Sequence, residues 1–197
     1  MNNRLILASA SQVRARLLKD AGVVFDIVPS TVDEDRIKQE LAGQDPLHIA
    51  ESLAAAKAEE ISAANPGAFV IGADQMLECY GRLFDKPLDM EGARGHLQAL
   101  AGQTHRLLTA TVIIRSGDKL WSHTETPSLT MRPMSDAAIE NYLSSVGDRA
   151  LTSVGAYQLE GLGAQLFERV DGNFFSILGL PLLPLLAFLR RYALIPD

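Results

Sequence analysis

Two carboxylates in this sequence are placed where they could bind a metal ion on a phosphate substrate. Asp74 follows the apolar run FVIGA at 69–73, which predicts that Asp74 ends a buried strand, and open α/β sheets bind ligands at the carboxyl ends of their strands. Glu34 lies in the acidic stretch VDED at 32–35, which we predict to be a loop. In proteins Mg²⁺ takes one or two carboxylates and leaves its other positions to phosphate oxygens and water. The alternatives are an aspartate that only begins a turn and a solvated run of charges.

Arg14 belongs to the stretch LILASASQVRARLL at 5–18. A short apolar strand there passes through serines into a helix that Ser11 can cap. Because a helix N-terminus already carries partial positive charge and unpaired N–H groups, an arginine in its first turn makes the local field still more positive. This arrangement predicts that an anion binds at the start of the helix.

Two lysines are the remaining candidates for contact with phosphate. Lys57 lies on the apolar stripe of a helix predicted over 46–64. Its ammonium either extends to solvent at the edge of the stripe or points into a cleft. Lys86 follows a predicted hairpin in the stretch FDKP at 84–87, where the proline stiffens the turn. On its residues alone, Lys86 is equally explained as an exposed loop lysine.

Composition excludes several classes of protein. The net charge of −6 over 197 residues argues against general binding to nucleic acid. Cys79 is the single cysteine and the four histidines show no ligand spacing, which excludes a disulfide framework and the familiar zinc motifs. The most apolar segment, 178–189, is too short to cross a bilayer. With a short strand near the N-terminus instead of a long apolar run, we expect a cytoplasmic protein without a membrane partner.

The elements that must position these residues intermix along the chain. We predict strands near 5–7, 25–28, 69–73, 82–84, 107–115, 119–131 and 165–170, and helices over 11–21, 46–64, 90–100, from Ser135 onward, and near the C-terminus. No internal repeat or linker separates them. This mixture predicts an α/β fold with a mixed sheet and flanking helices, in a single domain spanning 1–197.

The sequence resembles the Maf family of nucleoside triphosphate pyrophosphatases over nearly its whole length. The first stretch resembles the strand–serine–arginine–helix signature of the family, and VDED resembles its acidic loop. Further counterparts follow in order along the chain, namely the helix that carries Lys57 and the stretches VIGADQM, FDKPLD, AGQTHRLLTA, SVGAYQLEG and GLPLLPLL. The resemblance implies two lobes around a deep cleft, as in inosine triphosphatase-like proteins, and hydrolysis of a nucleoside triphosphate to the monophosphate and pyrophosphate.

The resemblance also implies a role for each candidate residue. Asp74 would accept the proton of the attacking water, and Glu34 and Asp74 would hold a divalent cation, Mg²⁺, Mn²⁺ or Co²⁺. The phosphates of the substrate would be bound by four side chains, Ser9, Arg14, Lys57 and Lys86. The expected partner is the nucleotide, and a homodimer is left open.

Three residues are expected to influence which base is accepted. Gln75 and Glu160 stand where pyrimidine-selective members of the family usually have threonine and glutamine, and they resemble the branch that acts on 7-methyl-GTP. That branch tends to have a tryptophan where this chain has Val13. The sequence therefore leaves the base open.

Two other functions remain as alternatives. One is a catalytically weak nucleotide-binding regulator of cell division, and the other is a phosphatase of small sugar phosphates. Retention of the candidate base, cations and carboxylates together favours the pyrophosphatase. The absence of a nucleophilic Asp-x-Asp motif argues against the phosphatase.

Overall fold

The computed structural model describes residues 4–196. Within them, eight strands are β1 Leu5–Leu7, β2 Asp26–Ile27, β3 Phe69–Cys79, β4 Arg82–Phe84, β5 Thr104–Arg115, β6 Asp118–Glu125, β7 Ser128–Met131 and β8 Phe167–Asp171. Seven α-helices are α1 Gln12–Asp20, α2 Glu34–Glu40, α3 Pro46–Ala64, α4 Met90–Leu100, α5 Asp136–Val146, α6 Phe174–Ile177 and α7 Leu182–Arg191. Three 3₁₀ segments lie at Gly147–Thr152, Val154–Ala156 and Leu162–Leu166.

The strands form one mixed sheet in the order β2-β1-β3-β5-β7-β8, with β4 paired to β3 and β6 paired to β5. Strand β1 runs parallel to β2 and β3, whereas the pairs β3–β4, β5–β6, β5–β7 and β7–β8 are antiparallel. The predicted α/β class with a mixed sheet and flanking helices is confirmed. The predicted deep cleft stays a prediction, and the predicted domain limits, 1 and 197, lie outside the described residues.

The described chain separates into two compact units, to which β3 and β5 both contribute residues. The first consists of 4–75, 109–125 and 174–196, and the second of 76–108 and 126–173. The core of the first unit is an apolar cluster contributed by β1, α1, β3, β5 and α7; its buried members are Leu5, Leu7, Leu18, Val23, Phe69, Ile71, Ala73, Ile113, Leu180, Leu182, Leu185, Phe188 and Leu189. This cluster fixes β1 and the helices on it, and so positions the start of α1.

The second unit contains a buried aromatic group around a histidine. Nε2 of His105 lies 2.7 Å from the hydroxyl of Tyr157, and both rings contact Phe167. Burial lowers the pKa of His105 to about 4, because the charged imidazolium is disfavoured away from water. His105 is therefore a neutral core residue, in agreement with the lack of ligand spacing among the histidines.

Most predicted elements are confirmed, and α3 and α4 have the predicted bounds. Three predictions are corrected. The acidic stretch is not a loop, since α2 begins at Glu34 and Asp33 caps it by accepting a hydrogen bond from the N–H of Arg36. Asp74 does not end a strand, since β3 continues to Cys79. The segment predicted over 119–131 is interrupted at Pro127, which has no N–H to donate to a ladder.

No helix within residues 4–196 combines the length and the apolar character that crossing a membrane requires.

Helix α3 packs directly against the backbone of β3 at Gly72. A Cβ atom at position 72 would lie 2.0 Å from the carbonyl oxygen of Ala54 and 2.8 Å from the Cβ of Ala58. Glycine on the strand and alanines on the helix are therefore required for this close approach. Lys57 lies between the two alanines in the sequence of α3, so the same contact carries the lysine to the strand.

We expect Gly72→Ala to destabilise the protein by about 3 kcal/mol, because the added methyl group collides with helix backbone that cannot move aside. Equilibrium denaturation in urea measures the effect. The matched control is Gly95→Ala, at an exposed position inside α4 with nothing within 4 Å of the added Cβ, which should raise the stability by about 0.5 to 1 kcal/mol. Equal effects of the two substitutions would contradict the close approach at Gly72.

Candidate active site

The ammonium of Lys57 lies between two carboxylates. Its Nζ is 2.7 Å from Oδ1 of Asp74 and 2.8 Å from Oε1 of Glu34. The side chains of Lys57 and Asp74 are only 10% and 9% exposed, whereas that of Glu34 is 44% exposed. Of the two orientations open to Lys57, the structure selects the inward one, because the buried ammonium has two counter-ions.

Three elements of the first unit meet at this ion-pair group. Side chains alternate along a strand, so Gly72 and Asp74 share the face of β3 that α3 covers. Lys57 points from α3 towards that face, and Glu34 reaches it from the first turn of α2. Although β3 continues beyond Asp74, β1 pairs with it only as far as Ile71. Asp74 thus lies just beyond the carboxyl end of β1.

Arg14 is held by two backbone carbonyl groups and one hydroxyl. Its Nε donates to the carbonyl of Gly179 at 2.8 Å, and its Nη1 donates to the carbonyl of Ala73 at 3.0 Å and to Oγ of Ser9 at 3.2 Å. An arginine has five N–H donors, and these bonds use Nε and Nη1. The two donors on Nη2 have no partner among the described residues, so the guanidinium is fixed in place with one edge available to an anion.

Burial lowers the pKa of Arg14. Attraction to the carboxylate of Asp74 and, less strongly, to that of Glu34 acts in the opposite direction and raises this pKa. Arg14 therefore belongs to the same electrostatic cluster as the ion-pair group. The cluster contains two cations, Arg14 and Lys57, and two carboxylates. A polyanionic ligand would add negative charge to a group that is otherwise balanced.

Ser9 and Ser11 complete the start of α1. Oγ of Ser11 accepts a hydrogen bond from the N–H of Arg14 at 3.4 Å, which confirms its predicted role as N-cap. Oγ of Ser9, a buried residue, accepts from the N–H of Ser11 at 3.2 Å and from Arg14. Since both lone pairs of this hydroxyl are used, its own proton remains to be donated to an anion.

Gln75 is tied to the protein through its amide nitrogen. Nε2 donates to the carbonyls of Ser176 and Ile177 at 2.9 and 3.1 Å and lies 2.8 Å from Oγ1 of Thr109. The donor group of Gln75 is thus occupied by β5 and α6. Val13, another residue predicted to influence base selection, is half-buried in the first turn of α1.

Lys86 and Glu160 belong to the second unit, and both are exposed there. Lys86 follows β4, as predicted, and Glu160 lies in the turn before the 3₁₀ segment that begins at Leu162. The structure brings together Ser9, Arg14, Glu34, Lys57 and Asp74. A joint site of these five residues with Lys86 and Glu160 stays a prediction.

Residues 4–196 contain no group of three or more histidine, cysteine, aspartate or glutamate side chains that could by itself hold a metal. Glu34 and Asp74 nevertheless converge on one point, the position of the Lys57 ammonium. Two carboxylate ligands are the usual protein share for a hard cation that arrives with phosphate oxygens and water. The donor set therefore fits a cation carried by a phosphate ligand, and does not fit a closed protein cage.

Sequence reasoning did not identify the residues that fix Arg14 and Gln75 in place, above all Gly179. At its φ of +93°, a Cβ atom would lie 3.2 Å from Nε of Arg14. Gly179 begins the stretch GLPLLPLL, and Thr109 lies in AGQTHRLLTA, so the family resemblance covered both residues without indicating what they do. Ser176, which also fixes Gln75, lies outside the stretches that carry the resemblance.

Comparison with known proteins gives a consistent picture. The family model described as Maf-like protein matches residues 4–192. A nucleoside triphosphate pyrophosphatase of Paramagnetospirillum magneticum is 52% identical over 188 residues, covering 94% of this chain and 97% of the relative. One of Nitrobacter hamburgensis is 51% identical over 191 residues, covering 97% and 95%. A 7-methyl-GTP pyrophosphatase of Rhizobium etli is 50% identical over 193 residues, covering 97% of each chain.

The buried ion pair predicts strong energetic coupling between Lys57 and Asp74. We expect Lys57→Met to lower the free energy of unfolding by about 3 kcal/mol, because it leaves a buried carboxylate without its nearest counter-ion. The double variant Lys57→Met/Asp74→Asn should be less destabilised than the sum of the two single variants, as measured by urea denaturation.

The matched control for this cycle is Lys119→Met. Lys119 is 52% exposed and pairs with Glu51 at 3.5 Å, so its loss should change the stability by less than about 1 kcal/mol. Strict additivity of the Lys57 and Asp74 substitutions would show that the two side chains do not interact.

Proposed function

This chain belongs to the family of Maf-like proteins, and we propose that it is a nucleoside triphosphate pyrophosphatase, a hydrolase that converts a nucleoside triphosphate to the monophosphate and pyrophosphate. The observation that carries the proposal is the convergence of Arg14 and Lys57 with a buried aspartate at the start of α1. The relatives named above carry this activity in their names, at about 50% identity over nearly the whole chain. Such a cluster supplies positive groups that can bind phosphate and a carboxylate that can accept a proton from water.

The triphosphate is proposed to bind at the N-terminus of α1. Nη2 of Arg14 and the hydroxyl proton of Ser9 are donors there without a partner among residues 4–196, and the helix terminus adds its partial positive charge. Lys57 would add a second charge, and Lys86 of the second unit is proposed as a third. Hydrogen bonds to charged oxygens are about twice as strong as neutral ones, which suits a ligand held mainly by its phosphates.

Asp74 is proposed as the base. Lys57 contacts Oδ1 and thereby fixes the carboxylate, so that Oδ2 is the atom that would accept the proton of water. The oxygen of that water forms a bond to phosphorus, the bridging P–O bond between the α- and β-phosphates breaks, and pyrophosphate leaves. Positioning and stabilisation of charge account for most of the catalysis of phosphoryl transfer.

A divalent cation, Mg²⁺, Mn²⁺ or Co²⁺, is proposed to be held by Glu34 and Asp74 together with the substrate. When bound, it would neutralise charge on the phosphate oxygens.

The test is to incubate the purified protein with a panel of nucleoside triphosphates and each of the three metals and to identify the products. Pyrophosphate and monophosphate are expected. Release of orthophosphate from sugar phosphates alone would instead indicate the phosphatase, and nucleotide binding without turnover would indicate the regulator. A homodimer stays a prediction that analytical ultracentrifugation tests.

We expect Asp74→Asn to reduce kcat by about 10²- to 10⁴-fold, because the amide has nearly the shape of the carboxylate and cannot accept the proton. The matched control is Asp118→Asn, at an exposed aspartate of β6, which should keep the wild-type rate. Thermal melting well above the assay temperature must accompany both variants. A rate for Asp74→Asn close to that of the wild type would remove this residue from the mechanism.

The substrate is further proposed to carry a purine, with 7-methyl-GTP among the candidates. The carboxylate of Glu160 offers only acceptors. A guanine edge presents N–H donors, whereas uracil and thymine present two carbonyls that a carboxylate would oppose. The name of the Rhizobium etli relative agrees with this direction.

We expect Glu160→Gln to raise the ratio of kcat/KM for UTP and dTTP to that for GTP and 7-methyl-GTP by about tenfold, the usual effect of one mismatched polar contact. Gln75 is left unchanged because its amide nitrogen holds α6. Glu168→Gln, at an exposed glutamate of β8 in the same unit, is the control. An unchanged ratio in the Glu160 variant would exclude Glu160 from base selection.

A further inference from the structure

Glu60 accepts three hydrogen bonds that the proposed mechanism does not use. Its carboxylate accepts from Oγ of Ser30 at 2.5 Å, from the N–H of Thr31 at 2.9 Å and from Oγ1 of Thr31 at 2.6 Å. These bonds, that of Ser30 first, lower the pKa of Glu60, since each of them favours the charged carboxylate. Glu60 lies on α3 three residues after Lys57, one helical turn away.

The residues that Glu60 holds lead directly into Glu34. Oγ of Ser30 also accepts from the N–H of Val32 at 3.3 Å, and the chain then passes through the N-cap of α2 to Glu34. The segment 30–34 is thus attached to α3 at two points. One is Glu60, and the other is the ion pair between Glu34 and Lys57.

Helix α2 contacts α3, but none of its residues is buried. An exposed short helix is only marginally stable by itself. Polar contacts at the start of the helix therefore contribute to the position of the Glu34 carboxylate. Besides the ion pair with Lys57 and the cap at Asp33, they include the hydrogen bonds of Glu60, which attach the segment to α3 independently of Lys57.

We propose that Glu60 is a positioning residue that holds the segment 30–34 on α3 and thereby places the carboxylate of Glu34 at Lys57. This inference rests on the proposed function at one point, namely that Glu34 takes part in it. Glu60 would act on turnover through Glu34 and through no contact of its own with the nucleotide or the metal. Removing its charge would leave Glu34 intact and held by its ion pair with Lys57, but without the second attachment of the segment to α3.

The experiment compares Glu60→Gln, Glu34→Gln and the double variant in kcat/KM for the best nucleotide of the product assay, with Glu59→Gln as the matched control on the same helix. Glu59 is exposed, so its variant should equal the wild type. Glu60→Gln should lose about tenfold, the effect of weakening hydrogen bonds to a charged group. In the Glu34→Gln background the same substitution should have no further effect.

A second measurement does not depend on turnover. Amide hydrogen exchange at 31–36 should become faster in Glu60→Gln and stay unchanged in Glu59→Gln, while exchange in α7 is unaffected. Thr31→Val removes one of the three bonds from the other partner and should show the same effects at smaller size, which covers the case in which Glu60→Gln folds poorly.

The inference is overturned if the Glu60 and Glu34 effects on kcat/KM multiply, or if Glu60→Gln leaves both kcat/KM and exchange at 31–36 unchanged. These results differ from failure of the proposed function, in which the wild-type protein releases no pyrophosphate whatever the exchange rates are.

Discussion

The ammonium of Lys57 can be buried only because two carboxylates accompany it, and this requirement shapes the first unit. An isolated charge in the protein interior is costly, whereas a paired one with good geometry is tolerated. Asp74 and Glu34 contact Nζ at 2.7 and 2.8 Å. The aspartate must therefore lie inside β3, and α2 must begin close to α3. The glycine at position 72 follows from the same demand, since only a residue without Cβ lets α3 come close enough to bring the lysine to the strand.

Backbone carbonyl groups are the second feature that holds the site in place. Arg14 is fixed by the carbonyls of Ala73 and Gly179, and Gln75 by those of Ser176 and Ile177. Carbonyl groups of packed backbone move less than side chains, so a guanidinium held by them is preorganised for a ligand. Residues 73–75 thus have three different roles along one strand. The backbone of Ala73 holds Arg14, the side chain of Asp74 meets Lys57, and that of Gln75 anchors α6.

The proposed function would give this cluster a chemical purpose. Two cations and two carboxylates in one electrostatic cluster are nearly balanced, so a triphosphate and its metal, if they bind there as proposed, would replace internal ion pairs with new ones. The protein need not create a charged cavity in advance, which would be expensive for a buried site. This arrangement also explains why Arg14 is tolerated at the positive end of α1. Its charge is already shared with Asp74 and Glu34 before any ligand binds.

The sequence alone determined the α/β class, the bounds of α3 and α4, the cap of α1 and the identity of the charged residues that meet in the first unit. Those features depend on local patterns, namely apolar periodicity, capping residues and the types of side chain needed for phosphate chemistry. The family resemblance supplied the reaction, which the residues by themselves did not give.

Only the tertiary structure decided how these residues are used. Asp74 lies inside β3, where it pairs with Lys57, and not at the end of the strand. The same ion pair selected the inward one of the two orientations that the sequence left open for Lys57. The acidic stretch became a helix because Asp33 caps it, and Glu60 and Lys57 hold its start. The anchoring of Gln75 and the role of Gly179 depend on partners about one hundred or more residues away in the chain. No local pattern records such contacts, because their energy exists only once distant segments have packed together.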